Sequence, residues 1–147
     1  MVIWDTGASV TISNAKEDFG DTYKKASTID VISGISEGLK VLGKGTVKWN
    51  IQDNTGQFRT LELPALHVPS CGAKLISCSG LLQKYKGETI TMTDNQVVLS
   101  GIEGDKTRNS VSVWLNSANN LPTSPAFLPT ATKQVAMALM SIFLEQE

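Results

Sequence analysis

The chain has 147 residues, 41% of them hydrophobic, with 13 basic and 14 acidic side chains for a net charge of −1. That length supports one ordinary domain with an extension. Acidic and basic residues are interspersed, which excludes an electrostatic nucleic-acid surface, and no run approaches the roughly 18 apolar residues a membrane span needs. Asp5 interrupts the N-terminus before an apolar core region forms, so no signal peptide is expected.

The first element is Ile3-Trp4-Asp5-Thr6-Gly7-Ala8-Ser9. An apolar lead-in buries a strand and delivers a carboxylate to a turn. Gly7 lets backbone approach a ligand or a second chain without a Cβ in the way. The Thr6 hydroxyl can donate and accept at once, and so can lock the turn. As a bare triplet, Asp-Thr-Gly is also an ordinary loop.

Beyond it the chain reads as short strands and turns. Val10 to Ile12 continues with β-branched alternation. Asn14 to Lys25 is polar, anchored by Phe19 and Tyr23, and reads as a loop or short helical turn. Thr28 to Ile32 is extended and leads into the glycine-bracketed turn Ser33 to Gly38. Leu39 to Leu42 and Gly45 to Ile51 run back as strand, with Gly43 and Gly45 expected to permit a bend or bulge. Asp53-Asn54-Thr55-Gly56 is a hairpin turn with Phe58 to Leu63 returning. Leu66 to Val68 and Leu75-Ile76 are short buried stretches, and Leu81 to Tyr85 suits a brief helix. Thr89 to Met92 and Gln96 to Leu99 form a last hairpin, and Val111 to Leu115 adds a strand. Turn signals about every eight to twelve residues predict an all-β domain, a small closed or sandwich-like barrel over residues 1–115.

Residues 116–132 hold three of the five prolines among Ser, Thr and Asn and read as a linker. Residues 133–147 have helix-forming composition, with Val135, Leu139, Ile142 and Phe143 on one face. Cys71, Cys78 and His67 fall short of the four ligands of a structural zinc site, so no metal and no cofactor is expected. The cysteines read as reduced, half-buried thiols of a cytosolic protein. His67 reads as a strand residue rather than a catalytic base.

Asp5-Thr6-Gly7-Ala8-Ser9 resembles the active-site signature of retropepsin-type aspartic proteases. The order of later landmarks, Gly43-Lys44-Gly45-Thr46-Val47 and Leu66-His67-Val68-Pro69 followed by Leu75-Ile76-Ser77, is similar to the protease region of copia-type retrotransposon Gag-Pol polyproteins. The resemblance runs from about Trp4 to Leu115. It implies a retropepsin-like closed β barrel and an aspartic endopeptidase, a hydrolase acting on its own polyprotein, in the cytoplasm or inside virus-like particles. Asp5, Thr6 and Gly7 would be catalytic. Ser33, Gly34, Ile35 and Ser36 would form a flap over substrate, and Ala8, Leu75 and Ile76 would contact it. Ser77 stands where retroviral enzymes have Gly. The signature occurs once, so the resemblance implies a homodimer with each Asp5 facing its symmetry mate. Only Met1 to Trp4 precede Asp5, so the sequence reads as a truncated fragment without the leading interface strand. The alternatives are a noncatalytic or decayed β-barrel module of such a polyprotein and a host protein domesticated from one.

Overall fold

The computed structural model describes residues 1–32 and 39–129. The expected flap residues Ser33, Gly34, Ile35 and Ser36 and the expected helix over 133–147 lie outside them. In chain order come β1 (Val2–Asp5), β2 (Thr11–Ser13), a 3-10 segment (Lys16–Thr22), β3 (Lys24–Ile32), β4 (Leu39–Gln52) and β5 (Phe58–His67). They are followed by β6 (Lys74–Ser77), α1 (Cys78–Lys84), β7 (Thr89–Met92), β8 (Gln96–Ser100), β9 (Val111–Trp114) and β10 (Thr123–Ser124).

The strands make a seven-stranded mixed sheet, ordered β10-β1-β6-β2-β5-β4-β3, and a three-stranded sheet, β7-β8-β9. The all-β expectation holds, but neither sheet closes into a barrel among the described residues. β3 pairs only with the first half of β4, and β10 contributes two residues to β1. A single antiparallel bridge, Asn50 with Phe127, joins the C-terminal segment to the free side of β4. These contacts are too short to form a continuous closing ladder.

The β4–β5 hairpin is the spine. Its alternation buries Val47, Trp49 and Ile51 from one strand and Leu61, Leu63 and Ala65 from the other. The β-branched and aromatic residues at these positions suit a pleated, half-buried surface. At its tip Asp53 closes the turn, its Oδ1 accepting the N–H of Thr55 at 2.9 Å and of Gln57 at 3.1 Å. Burial opposes the charge on Asp53, but hydrogen bonds from Thr55, Asn109 and Gln57 outweigh it and hold the carboxyl below its ordinary range.

Val97, Leu99, Val111 and Val113 of the small sheet pack on Trp4, Trp49 and Ile76 of the large one. A buried ion pair stitches the sheets together: Arg59 of β5 donates to both carboxylate oxygens of Glu88, and Arg108 Nε donates at 3.1 Å to the Oε2 that Arg59 also reaches.

The 3-10 segment answers to the polar stretch anchored by Phe19 and Tyr23. It lies across β4, where a Cβ on Gly43 would overlap the Tyr23 ring and one on Gly45 would come 2.8 Å from the Thr22 carbonyl oxygen. The two glycines therefore seat this segment, and the expected irregularity falls beside Gly43, where the β3–β4 register shifts between the Lys25–Gly43 and Asp30–Val41 pairs. Thr46 and Thr22 complete the joint, the Thr46 N–H donating to Thr22 Oγ1 at 2.8 Å. Beneath it, buried Asp18 accepts from Ser13 Oγ at 2.6 Å and pairs with Lys74 Nζ at 2.8 Å.

Residues read as linker behave differently up to Pro129. Trp4 N–H donates to the Pro122 carbonyl at 2.8 Å, Thr123 and Ser124 pair with β1, and Trp4 Nε1 donates to Ser124 Oγ at 2.9 Å. Proline interrupts this stretch without preventing edge pairing, since the ladder needs only the donors and acceptors that face β1.

Candidate functional site

Asp5 is the last residue of β1, whose apolar positions Val2 and Trp4 are buried and hold the strand in place. β6 runs parallel to β1, pairing Ile3 with Leu75, Trp4 with Ile76 and Asp5 with Ser77. β6 is also antiparallel to β2, so it lies between the strand that enters the signature turn and the strand that leaves it.

The turn is held at several points. The Gly7 N–H donates to Asp5 Oδ1 at 2.8 Å. Ser77 Oγ donates to the Ala8 carbonyl at 2.7 Å, and the Ser77 N–H donates to Thr11 Oγ1 at 3.1 Å. Thr6 is exposed, and its hydroxyl bonds to none of the described residues, so it does not lock the turn within one chain. A Cβ at Gly7 would lie in ordinary contact, 3.4 Å from Asp5 Oδ1, so the fold of a single chain does not itself demand glycine there.

Asp5 is partly exposed at the wall of an open groove of about 470 Å³. Ile3, Leu75, Met92, Leu121 and Pro122 make much of the lining apolar, and Cys71 and Asn120 also contribute to it. Leu75 and Ile76, expected to act together, part company here. Successive strand residues point to opposite faces. Leu75 faces the groove with Ile3, whereas Ile76 is fully buried in the main core. Ala8 stands half-exposed on the turn, outside the groove lining.

Met92, Leu121 and Pro122 escaped sequence reasoning. They come from a hairpin and an irregular segment far along the chain, and no local pattern ties them to Asp5.

Both cysteines are buried and unpaired, rather than half-buried. Cys78 follows Ser77 directly. Burial, and secondarily the negative charge of Asp5, push its thiol up to about 11. His67 ends β5, as a strand residue, with Nδ1 2.9 Å from the Tyr23 hydroxyl.

A mostly-β domain with a carboxylate-bearing turn beside an apolar groove is the class these features define. Residues 2–87 match the family described as Pol polyprotein, beta-barrel domain, and the chain belongs to that family. No curated protein and no solved structure gives a significant match. The matched stretch ends before β7, so the small sheet and β10 lie beyond it.

Proposed function

We propose that the chain is an aspartic endopeptidase of a copia-type Pol polyprotein, cutting that polyprotein as a homodimer with one Asp5 from each copy. The observation that carries this reading is the Asp5 turn, with its carboxylate fixed by the Gly7 amide at the rim of an open apolar groove.

Two further features support it. Leu75 walls the groove while β6 backs the aspartate strand, the placement that the resemblance assigns to the Leu75-Ile76-Ser77 run. Gly7 and Thr6 are exposed, and among the described residues no contact explains either, which fits contacts to substrate backbone and to a second turn.

The chemistry follows from bringing two such carboxylates together. At about 3 Å they cannot both ionise and so share one proton, as in aspartic proteases generally. The ionised member takes a proton from water as the water attacks the peptide carbonyl. The protonated member donates to the carbonyl oxygen as the tetrahedral species forms. The two titrations belong to the pair. A monomer holds half of this machinery.

The test is cleavage of peptides spanning the polyprotein's own domain junctions, by wild type and Asp5→Asn, over a dilution series. Cleavage should fall by several orders of magnitude in the variant. In wild type, specific activity should drop on dilution as dimers dissociate. Undiminished cleavage by Asp5→Asn would reject the aspartic mechanism, and no cleavage by wild type at any concentration would leave the noncatalytic module.

A further inference from the structure

We infer that Ser77 is the positioning residue of the Asp5 turn: its hydroxyl fixes the Ala8 carbonyl and thereby sets where the carboxylate stands, a role that rests on Asp5 being the reacting group. Asp5 and Ser77 are register partners at the point where β1 and β6 end. Beyond that pair the chain directions separate, one into the signature turn and the other into α1.

The Ser77 hydroxyl lies at this fork. It donates to the Ala8 carbonyl at 2.7 Å and accepts the Gly80 N–H at 3.0 Å as the N-cap of α1. A hydroxyl has a single proton, and here that proton goes to the turn while a lone pair serves the helix. The backbone N–H of the same residue donates to Thr11 Oγ1, on the strand leaving the turn. Entry, middle and exit of the turn therefore all refer to one fully buried residue.

Among the described residues no other bond does this work as well. The Gly7 to Asp5 hydrogen bond is internal to the turn and moves with it. The Ser79 hydroxyl reaches the Ala8 carbonyl only at 3.4 Å and is exposed to competing water. Removing the Ser77 proton donor leaves the turn folded on itself but loosely referred to the groove. A displacement of about 1 Å is enough to cost on the order of a hundredfold in rate.

The experiment uses the full chain, isotope-labelled, as wild type, Ser77→Ala, Ser77→Asp and Ser77→Thr. Aspartate accepts the Gly80 N–H and keeps α1 capped, and at a pH where its carboxyl carbon resonance reports ionisation it has no proton for Ala8, so there it separates the tie from the cap. The Gly7 amide resonance is the reporter, because its N–H sits on Asp5 Oδ1. In wild type and Ser77→Thr it should hold one position, set by its hydrogen bond to Asp5 Oδ1. In Ser77→Ala and Ser77→Asp it should move toward a disordered position. Peptide cleavage by both should lose about tenfold or more in kcat at unchanged KM. A Gly7 amide in ionised Ser77→Asp that matches wild type in position overturns the inference, whether or not the chain cleaves peptide. If the amide responds as expected but wild type cleaves nothing, the proteolytic reading fails and the tie between Ser77 and the turn stands.

Discussion

The Tyr23 hydroxyl meets Nδ1 of His67 at 2.9 Å across the space that a side chain on Gly43 would fill. Gly43 and His67 are register partners on β4 and β5, so the tyrosine from the preceding segment lies over the strand pair. Phe19 joins them edge-on, its ring centroid 5.5 Å from Tyr23 and 5.8 Å from His67.

Gly43→Ala should therefore destabilise the domain by about 1–3 kcal/mol, because a Cβ there forces the Tyr23 ring out of a packed site. Gly72→Ala, where a Cβ meets open space, should stay within about 0.5 kcal/mol of wild type. Urea midpoints of the two variants decide the matter. Equal midpoints would show that the 3-10 segment yields freely and that the glycine has some other reason.

The ion pair linking the sheets gives a second contrast. The Arg59 side chain is 3% exposed and that of Glu88 0% exposed, so Glu88→Gln leaves a guanidinium buried with half its partner gone. The expected loss is about 3–5 kcal/mol. Lys48 and Glu62 also pair, at 3.4 Å, but both are about half exposed. Glu62→Gln should change stability by roughly 0–1 kcal/mol. Denaturant unfolding of both variants measures the difference, and similar losses would contradict the assignment of Glu88 as the inter-sheet staple.

The local pattern was legible where one short stretch carries its own reason. The β4–β5 hairpin, the Asp53 turn, the β7–β8 hairpin and the Asp5 turn all follow from alternation, turn residues and a motif. Pairing over long distances was not. The local pattern of Lys74 to Ser77 does not announce that β6 inserts between β1 and β2, which only the resemblance sets behind the aspartate, and nothing in Thr123-Ser124 announces a strand on β1. The two glycines illustrate the same limit: sequence shows that they are small, but only the packing of Tyr23 and Thr22 shows what occupies the space. The Ile76 expectation missed for a simpler reason, since a strand can offer only one of two successive residues to the groove. Composition misled over residues 116–129, where prolines and small polar residues suggest a loose linker and the backbone nevertheless pairs.

That segment yields a third expectation. Trp4 is 1% exposed, and its indole N–H has Ser124 Oγ as its hydrogen-bond partner. Ser124→Ala strands a buried donor next to Asp5 and should cost about 1–3 kcal/mol. A chain ending at residue 115 removes β10 and the Asn50 bridge as well, and should lose the cooperative unfolding transition or show it at much lower denaturant. A shortened chain as stable as wild type would mean that residues 122–127 merely rest on the sheet.

The last expectation joins Asp5 to its buried neighbour Cys78. Burial first, and the Asp5 charge second, raise the thiol from an ordinary 9.0 to about 11. Between those two values the unfolded chain has lost the Cys78 proton while the folded chain keeps it. The folded state then binds more protons, so this thiol's contribution to stability is fully present below about pH 9 and is lost as pH rises toward 11. Asp5→Asn removes the like charge and leaves the burial, so the folded thiol should titrate at somewhat lower pH and the alkaline loss should end sooner. Site-resolved alkylation followed by mass spectrometry from pH 7 to beyond the transition checks this directly. Cys78 in the native chain should resist iodoacetamide at neutral pH and react at lower pH in Asp5→Asn than in wild type. Identical alkylation profiles in the two proteins would mean that the Asp5 charge does not reach the thiol, and the rise would then belong to burial alone.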